Sequence, residues 1–186
     1  MSSGEELITN SFFEFSDIAD YYNKNRHAIN LFYSANNPNY EVFFVGKREQ
    51  DVLFLKKEHL KQVEESSILC LLACCEAHLK YDLCIRRKRK DAISKELTST
   101  FKNQKYRYIK FDELLKFWRK QISQSIVNVN KLLESVNYRN WLAHGKYWRF
   151  PYKTYDFADI FEICDSLFVI INSQLDTKKP IRKYPK

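Results

Sequence analysis

Glycine and proline are scarce in this chain, at three and four residues among 186. So few turn-forming positions argue against a sandwich or barrel and favour long uninterrupted helices. Long hydrophobic runs are missing as well. The longest strictly apolar stretch, Ile68 to Cys75, falls far short of the roughly 20 residues that a membrane-spanning helix requires. The opening MSSGEEL has no basic and apolar leader, so a soluble, cytoplasmic protein with no membrane partner is expected. Disorder is excluded as a global description, because apolar residues make up 45% of the chain and aromatics 16%.

Cysteines are few and oddly placed. There are five, and four of them (Cys70, Cys74, Cys75, Cys84) lie in one segment, with Cys164 far away. That pattern does not suit a disulfide framework. Cys74 and His78, four apart, make a conceivable metal half-site. A tetrahedral centre needs three or four ligands, however, and no second Cys/His pair exists to complete one. Small buried side chains are the preferred reading, and neither metal nor cofactor is expected.

What the chain has in abundance is positive charge in one place. The formal net charge is +8. From Lys80 to Lys110 there are eleven Lys/Arg and three acids (Asp82, Asp91, Glu96), and eleven minus three is +8, the entire surplus. A concentrated basic segment attracts polyanions by releasing their counterions; the bland alternative is a solvated helix end. The interleaved aromatics Tyr81, Phe101, Tyr106 and Tyr108 favour nucleic acid, since they offer faces for stacking unpaired bases. Arg86, Arg87, Lys88 and Arg89 are the predicted RNA-binding residues of this segment. Asp82 and Arg86, four apart, also have the spacing of a surface ion pair.

The pattern predicts an all-α, up-and-down bundle of four to five main helices. A first helix is expected over about 10–33, ended by the turn signal NNPN. A short non-helical or hairpin insert is expected near 40–55, where two brief apolar runs flank Gly46. Next comes a long helix over about 57–90, apolar nearly all round in its middle and therefore central. Further helices are expected over 92–101, from Asp112 as N-cap, through about 126–144 with a stop at Gly145, and from Asp156 onward. The whole is read as a single domain over 1–186. It comprises an N-terminal helix and arm (1–56), a bundle (57–175) and a flexible basic tail (176–186).

The chemistry concentrates in YRNWLAHGKYW, Tyr138 to Trp148. Arg139 and His144 are five apart, about 140° round an ideal helix, whereas Asn140 and His144 share a face and can hydrogen-bond. An imidazole moves protons near neutral pH, and a guanidinium stabilises charge building on a phosphorane. Together they suffice for RNA cleavage without a metal. The alternative is a structural histidine at a helix end. Glu76 follows eight apolar residues, so it either points to water or pairs with a cation, for which Arg139 is the favoured partner. Tyr147 and Trp148 are placed to stack a base or to pack against the last helix.

RNWLAHG resembles the R-x4-H signature of the HEPN superfamily, with Arg139, the intervening Asn140-Trp141-Leu142-Ala143, and His144. ILCLLACCEAHLKYDLCIRRK looks like the second helix of small bacterial HEPN proteins, and the likeness extends over about 57–175. It implies a homodimeric helical bundle with a composite cleft. The implied activity is a metal-independent endoribonuclease leaving 2′,3′-cyclic phosphate and 5′-hydroxyl ends, acting as a toxin or antiviral defence effector. By the same resemblance Arg139 and His144 are catalytic and Asn140 is supporting; the residues themselves, apart from the resemblance, add Glu76 as a supporting partner of Arg139 and Tyr147 as an RNA-binding residue. The implied partners are RNA (tRNA or mRNA), a second copy of the chain, and an antitoxin or defence-system protein. HEPN toxins paired with nucleotidyltransferase antitoxins carry a tyrosine two residues after the histidine; here Tyr147 comes three after, which counts against inhibition by tyrosine nucleotidylation. The competing readings are a non-catalytic HEPN-like module that binds RNA or protein, and a helical adaptor that binds no nucleic acid.

Overall fold

The computed structural model describes residues 13–122, 126–146, 149 and 154–174. They are all-α, as the scarcity of turn residues predicts, with seven helices and no strand among them. These are α1 (Phe15–Phe32), α2 (Tyr40–Phe44), α3 (Glu49–Arg86), α4 (Ala92–Thr100), α5 (Phe111–Gln121), α6 (Ile126–Ala143) and α7 (Phe157–Ser173). A single 3₁₀ turn, Tyr106–Tyr108, precedes α5.

The organising element is α3, whose 38 residues span about 57 Å. It packs against α1, α4, α5, α6 and α7, because most of its middle is buried: Ile68, Leu71, Leu72, Cys75, Leu79 and Leu83 are solvent-free, while Ser66, Cys70 and Ala73 leave one stripe exposed. Cross-links along it give the directions of its neighbours. Phe13, Tyr22 and Tyr33 meet Cys74, Glu64 and His59 in turn, so α1 runs antiparallel to α3. In α6, Arg139 meets Glu76, and beyond its end Lys146 meets Glu65, again antiparallel. In α7, Phe157 meets Glu64 and Ile171 meets Arg86, so that helix runs parallel. Glu64 links three elements. It accepts from Tyr22 Oη (3.4 Å) and from the Phe157 amide (3.2 Å), placing an anion at the positive end of α7.

Two boundaries differ from expectation. The segment 40–55 is not a hairpin: α2 covers its first part and α3 begins at Glu49, leaving only a turn at Gly46 (φ +73°) between them. Val52 and Leu55 decide this. Three residues apart, they face the same small core of Tyr33, Phe44 and Ile29, which helical but not strand periodicity allows. Secondly, Asp112 is not an N-cap. The cap is Lys110, whose amide donates to Glu113 Oε2 (3.4 Å). Helix α5 starts at Phe111 because Phe111, Leu114, Leu115 and Trp118 form one buried stripe. Asp112 lies in the first turn and takes a hydrogen bond from Lys116 (2.7 Å), which holds its carboxyl below the ordinary value. Asp156 does cap α7, accepting from the Asp159 amide at 2.8 Å. No helix among the described residues is long and apolar enough to cross a membrane. The expected start of the first helix at 10 and the tail at 176–186 lie outside the described residues.

Candidate active site

Helix α6 buries Val129, Leu132 and Val136 against the core. Arg139 continues that 3–4–3 spacing. Its stem therefore lies along the packed face while 30% of the side chain stays accessible. Tyr138 fixes the helix beside it. That ring is buried and stacks on Trp141 at 5.6 Å, and burial pushes its hydroxyl up to about 12.

The guanidinium is held on two sides. Nη2 donates to Glu76 Oε2 (3.0 Å) and Nη1 to Asn140 Oδ1 (3.2 Å). The other oxygen of Glu76 takes Lys80 Nζ at 2.7 Å. Two cations on one carboxylate leave the trio with a net charge of +1. Pairing of Glu76 with Arg139 was readable from the sequence. Lys80 was overlooked, although its position four after Glu76 was the available signal. The Asn140 carbonyl supports the arginine, where the sequence had suggested a bond to the imidazole.

His144 is exposed at the C-cap of α6. The chain reverses there through a Schellman turn: Lys146 N donates to Trp141 O (3.0 Å) and Gly145 N to Leu142 O (3.1 Å). Gly145 adopts φ +75°, which explains the glycine. Lys146 then locks the corner, its ammonium on Glu65 Oε2 (2.5 Å) and 5.9 Å from the Trp141 ring centre. The imidazole is thus presented on a braced turn rather than on a fraying helix end.

Beside Arg139 opens a cleft of about 260 Å³. Its walls are Glu76 and Lys80 from α3, Arg139 and Asn140 from α6, and residues 107–112 on the third side. Another cleft of about 240 Å³ lies between α6 and α7. Its charged walls are Lys131, Glu134, Asp159 and Glu162, and three carboxylates against one lysine repel a polyanion. The Arg139 cleft is the better anion site.

Of the predicted RNA-binding residues, Arg86 is misassigned. Its side chain is 0% exposed: Nε donates to both oxygens of Asp82 (2.9 Å each), Nη2 to Ile171 O (3.1 Å), and the guanidinium lies 4.7 Å from the Trp118 ring centre. The expected surface pair with Asp82 is therefore a buried one, and the arginine also caps the carbonyl end of α7. Burial pushes the Asp82 carboxyl up to about 6 against the opposing pull of Arg86. Arg87 spans the 101–104 turn, donating to Phe101 O (2.7 Å) and Gln104 O (3.1 Å) over the Tyr106 ring. Arg89 pairs with Asp91 at 3.2 Å. Lys88 alone of the four is exposed. Tyr147 lies outside the described residues.

The cysteines are unpaired thiols. Cys74 donates to Phe13 O at 2.8 Å, and burial pushes its thiol up to about 12. His78 packs between Phe15 and Phe168. Among the described residues no group of three metal-binding side chains converges. No family model, no curated protein and no solved structure matches the chain.

Proposed function

We propose that the protein is a HEPN-like, metal-independent endoribonuclease acting as a homodimer, in toxin or antiviral defence. The observation that carries this reading is the arginine of an R-x4-H motif held at the mouth of a cationic cleft by Glu76 and Asn140, with the motif's histidine exposed on a braced turn five residues on. The guanidinium stabilises the charge of the phosphorane. The imidazole takes the 2′-hydroxyl proton or protonates the leaving 5′-oxygen. Helix geometry separates the two directions by about 140°. A two-fold partner reconciles them, by setting one copy's His144 opposite the other's Arg139 across a shared phosphodiester.

Purified protein in EDTA should cleave RNA to 2′,3′-cyclic phosphate and 5′-hydroxyl ends. His144→Ala should remove that activity while leaving circular dichroism and the thermal midpoint unchanged. Cleavage that persists in His144→Ala refutes this assignment of the base and acid. An RNA-binding protein in which wild type and His144→Ala are equally inert is instead a binding module.

A further inference from the structure

Four aromatics interleave the basic segment, and the fold separates them. Phe101 is buried, Tyr81 is half-buried, and Tyr106 lies under Arg87. Tyr108 alone is open, at 65% exposure, with the Arg107 guanidinium 4.7 Å from its ring centre. Its position gives that exposure a use. Tyr108 borders the Arg139 cleft on one side; on the other it borders a shallower depression of about 480 Å³, walled by Asn103, Gln104, Lys105 and Glu113. The ring is therefore a ridge between two hollows.

Positive charge gathers on one side of the ridge. The Arg139 cleft holds Lys80, Arg107, Lys110 and Arg139 against Glu76 and Asp112, four cations minus two anions, or +2. Both carboxylates are engaged by ammonium groups, Glu76 by Lys80 and Asp112 by Lys116, which limits their repulsion of phosphate. Beyond the ridge Lys105 and Glu113 balance, so the second hollow is neutral, and the Asn103 and Gln104 amides there supply donors and acceptors suited to base edges.

We propose that Tyr108 is a stacking platform for single-stranded RNA. The strand passes from the Arg139 cleft, across the Tyr108 ring, into the Asn103–Lys105 hollow. One base stacks on the tyrosine, and Lys110 and Arg107 hold the flanking phosphates. An alternating cationic groove and aromatic face is the arrangement by which proteins hold unpaired strands; a duplex keeps its bases stacked within itself and gains nothing from the ring. The platform deepens the cleavage reading, on which it rests for the role of Arg139, by naming the strand that Arg139 meets.

The test uses the full-length His144→Ala protein and a fluorescently labelled ten-nucleotide oligoribonucleotide of mixed sequence at low salt. Tyr108→Ala should raise Kd at least about fivefold, the loss of one stacked base, and Tyr108→Trp should restore binding. Lys110→Gln should lower the slope of log K against log salt by about 0.7. Lys24→Ala, an exposed residue of α1 that lines neither hollow, should change neither. Three results overturn the platform: unchanged affinity in Tyr108→Ala, no binding of the single strand, or equal affinity for the matching duplex. Cleavage by the unsubstituted protein is scored separately. Tyr108-dependent binding without cleavage sinks the nuclease reading and leaves the platform standing. Cleavage whose KM ignores Tyr108→Ala does the reverse.

Discussion

Glu76 and Asp82 are six residues apart on α3, and each holds an arginine, yet the two pairs live in opposite surroundings. Asp82–Arg86 is sealed, with 0% of the arginine exposed. Three of its hydrogen bonds, to both Asp82 oxygens and to Ile171 O, tie the guanidinium to α3 and to the end of α7. Glu76–Arg139 joins α3 to α6 and leaves 30% of its arginine open beside a cleft. Both arginines belong to stretches that read as functional in the sequence. A guanidinium that water cannot reach is unavailable to a phosphate, so the first pair holds helices together and only the second can meet a substrate. Burial, not residue type, separates scaffold from site.

That contrast can be broken most forcefully at Arg86. Arg86→Ala strands the Asp82 charge in the core and should cost about 3–5 kcal/mol, read as a fall in the urea midpoint; a midpoint that stays put would mean Asp82 has water or another partner. Arg139→Ala should have the opposite profile. RNA cleavage should drop on the order of 10²–10³-fold, with stability changed by about 1 kcal/mol or less, since the pair is partly solvated.

Acidity sharpens the comparison further. The Asp82 carboxyl is raised to about 6 in the folded protein, so the native state binds its proton more tightly than the unfolded chain does. The stability this group contributes is present below the ordinary carboxylate range and is lost as pH rises through about 6. The stability of the wild type relative to the double variant Asp82→Leu/Arg86→Met should therefore decline from about pH 4 to pH 6. The slope should not exceed about 1.4 kcal/mol per pH unit. A flat difference across that range would show that Arg86 fully offsets the burial.

Smaller effects are expected where the backbone or the solvated surface is changed. Gly145→Ala meets no atom within 4 Å, so its cost is the positive φ alone, about 1 kcal/mol, measurable by thermal denaturation. Lys88→Ala, the exposed member of the basic run, should shift stability by less than about 0.5 kcal/mol. A larger loss would place Lys88 in the scaffold beside Arg86.

Much of the helical order was legible because buried stripes repeat at helical spacing, as Ile68 to Leu83 and Phe157 to Ile171 do. Gly145 and Asp156 announced their roles through local backbone chemistry, which needs no distant partner. The segment 40–55 was not legible, because a run of four apolar residues suits either periodicity until Val52 and Leu55 find Tyr33 and Phe44. The basic run was misjudged for a related reason. Formal charge says nothing of depth, and Arg86 is carried into the core by its place on the side of α3 that meets Ile171 of α7 and the Trp118 ring.

By itself, then, the amino-acid order determined the all-α class, the central helix and the motif with its candidate partner Glu76, since these follow from spacing along one helix or from a buried charge's need for an opposite one. Only the tertiary structure decided which arginine faces solvent, that Lys80 shares Glu76 with Arg139, and that Tyr108, Lys110 and Arg139 border one cleft. Tyr108 and Lys110 precede Arg139 by 31 and 29 positions in sequence, and packing of α3, α5 and α6 is what makes them neighbours.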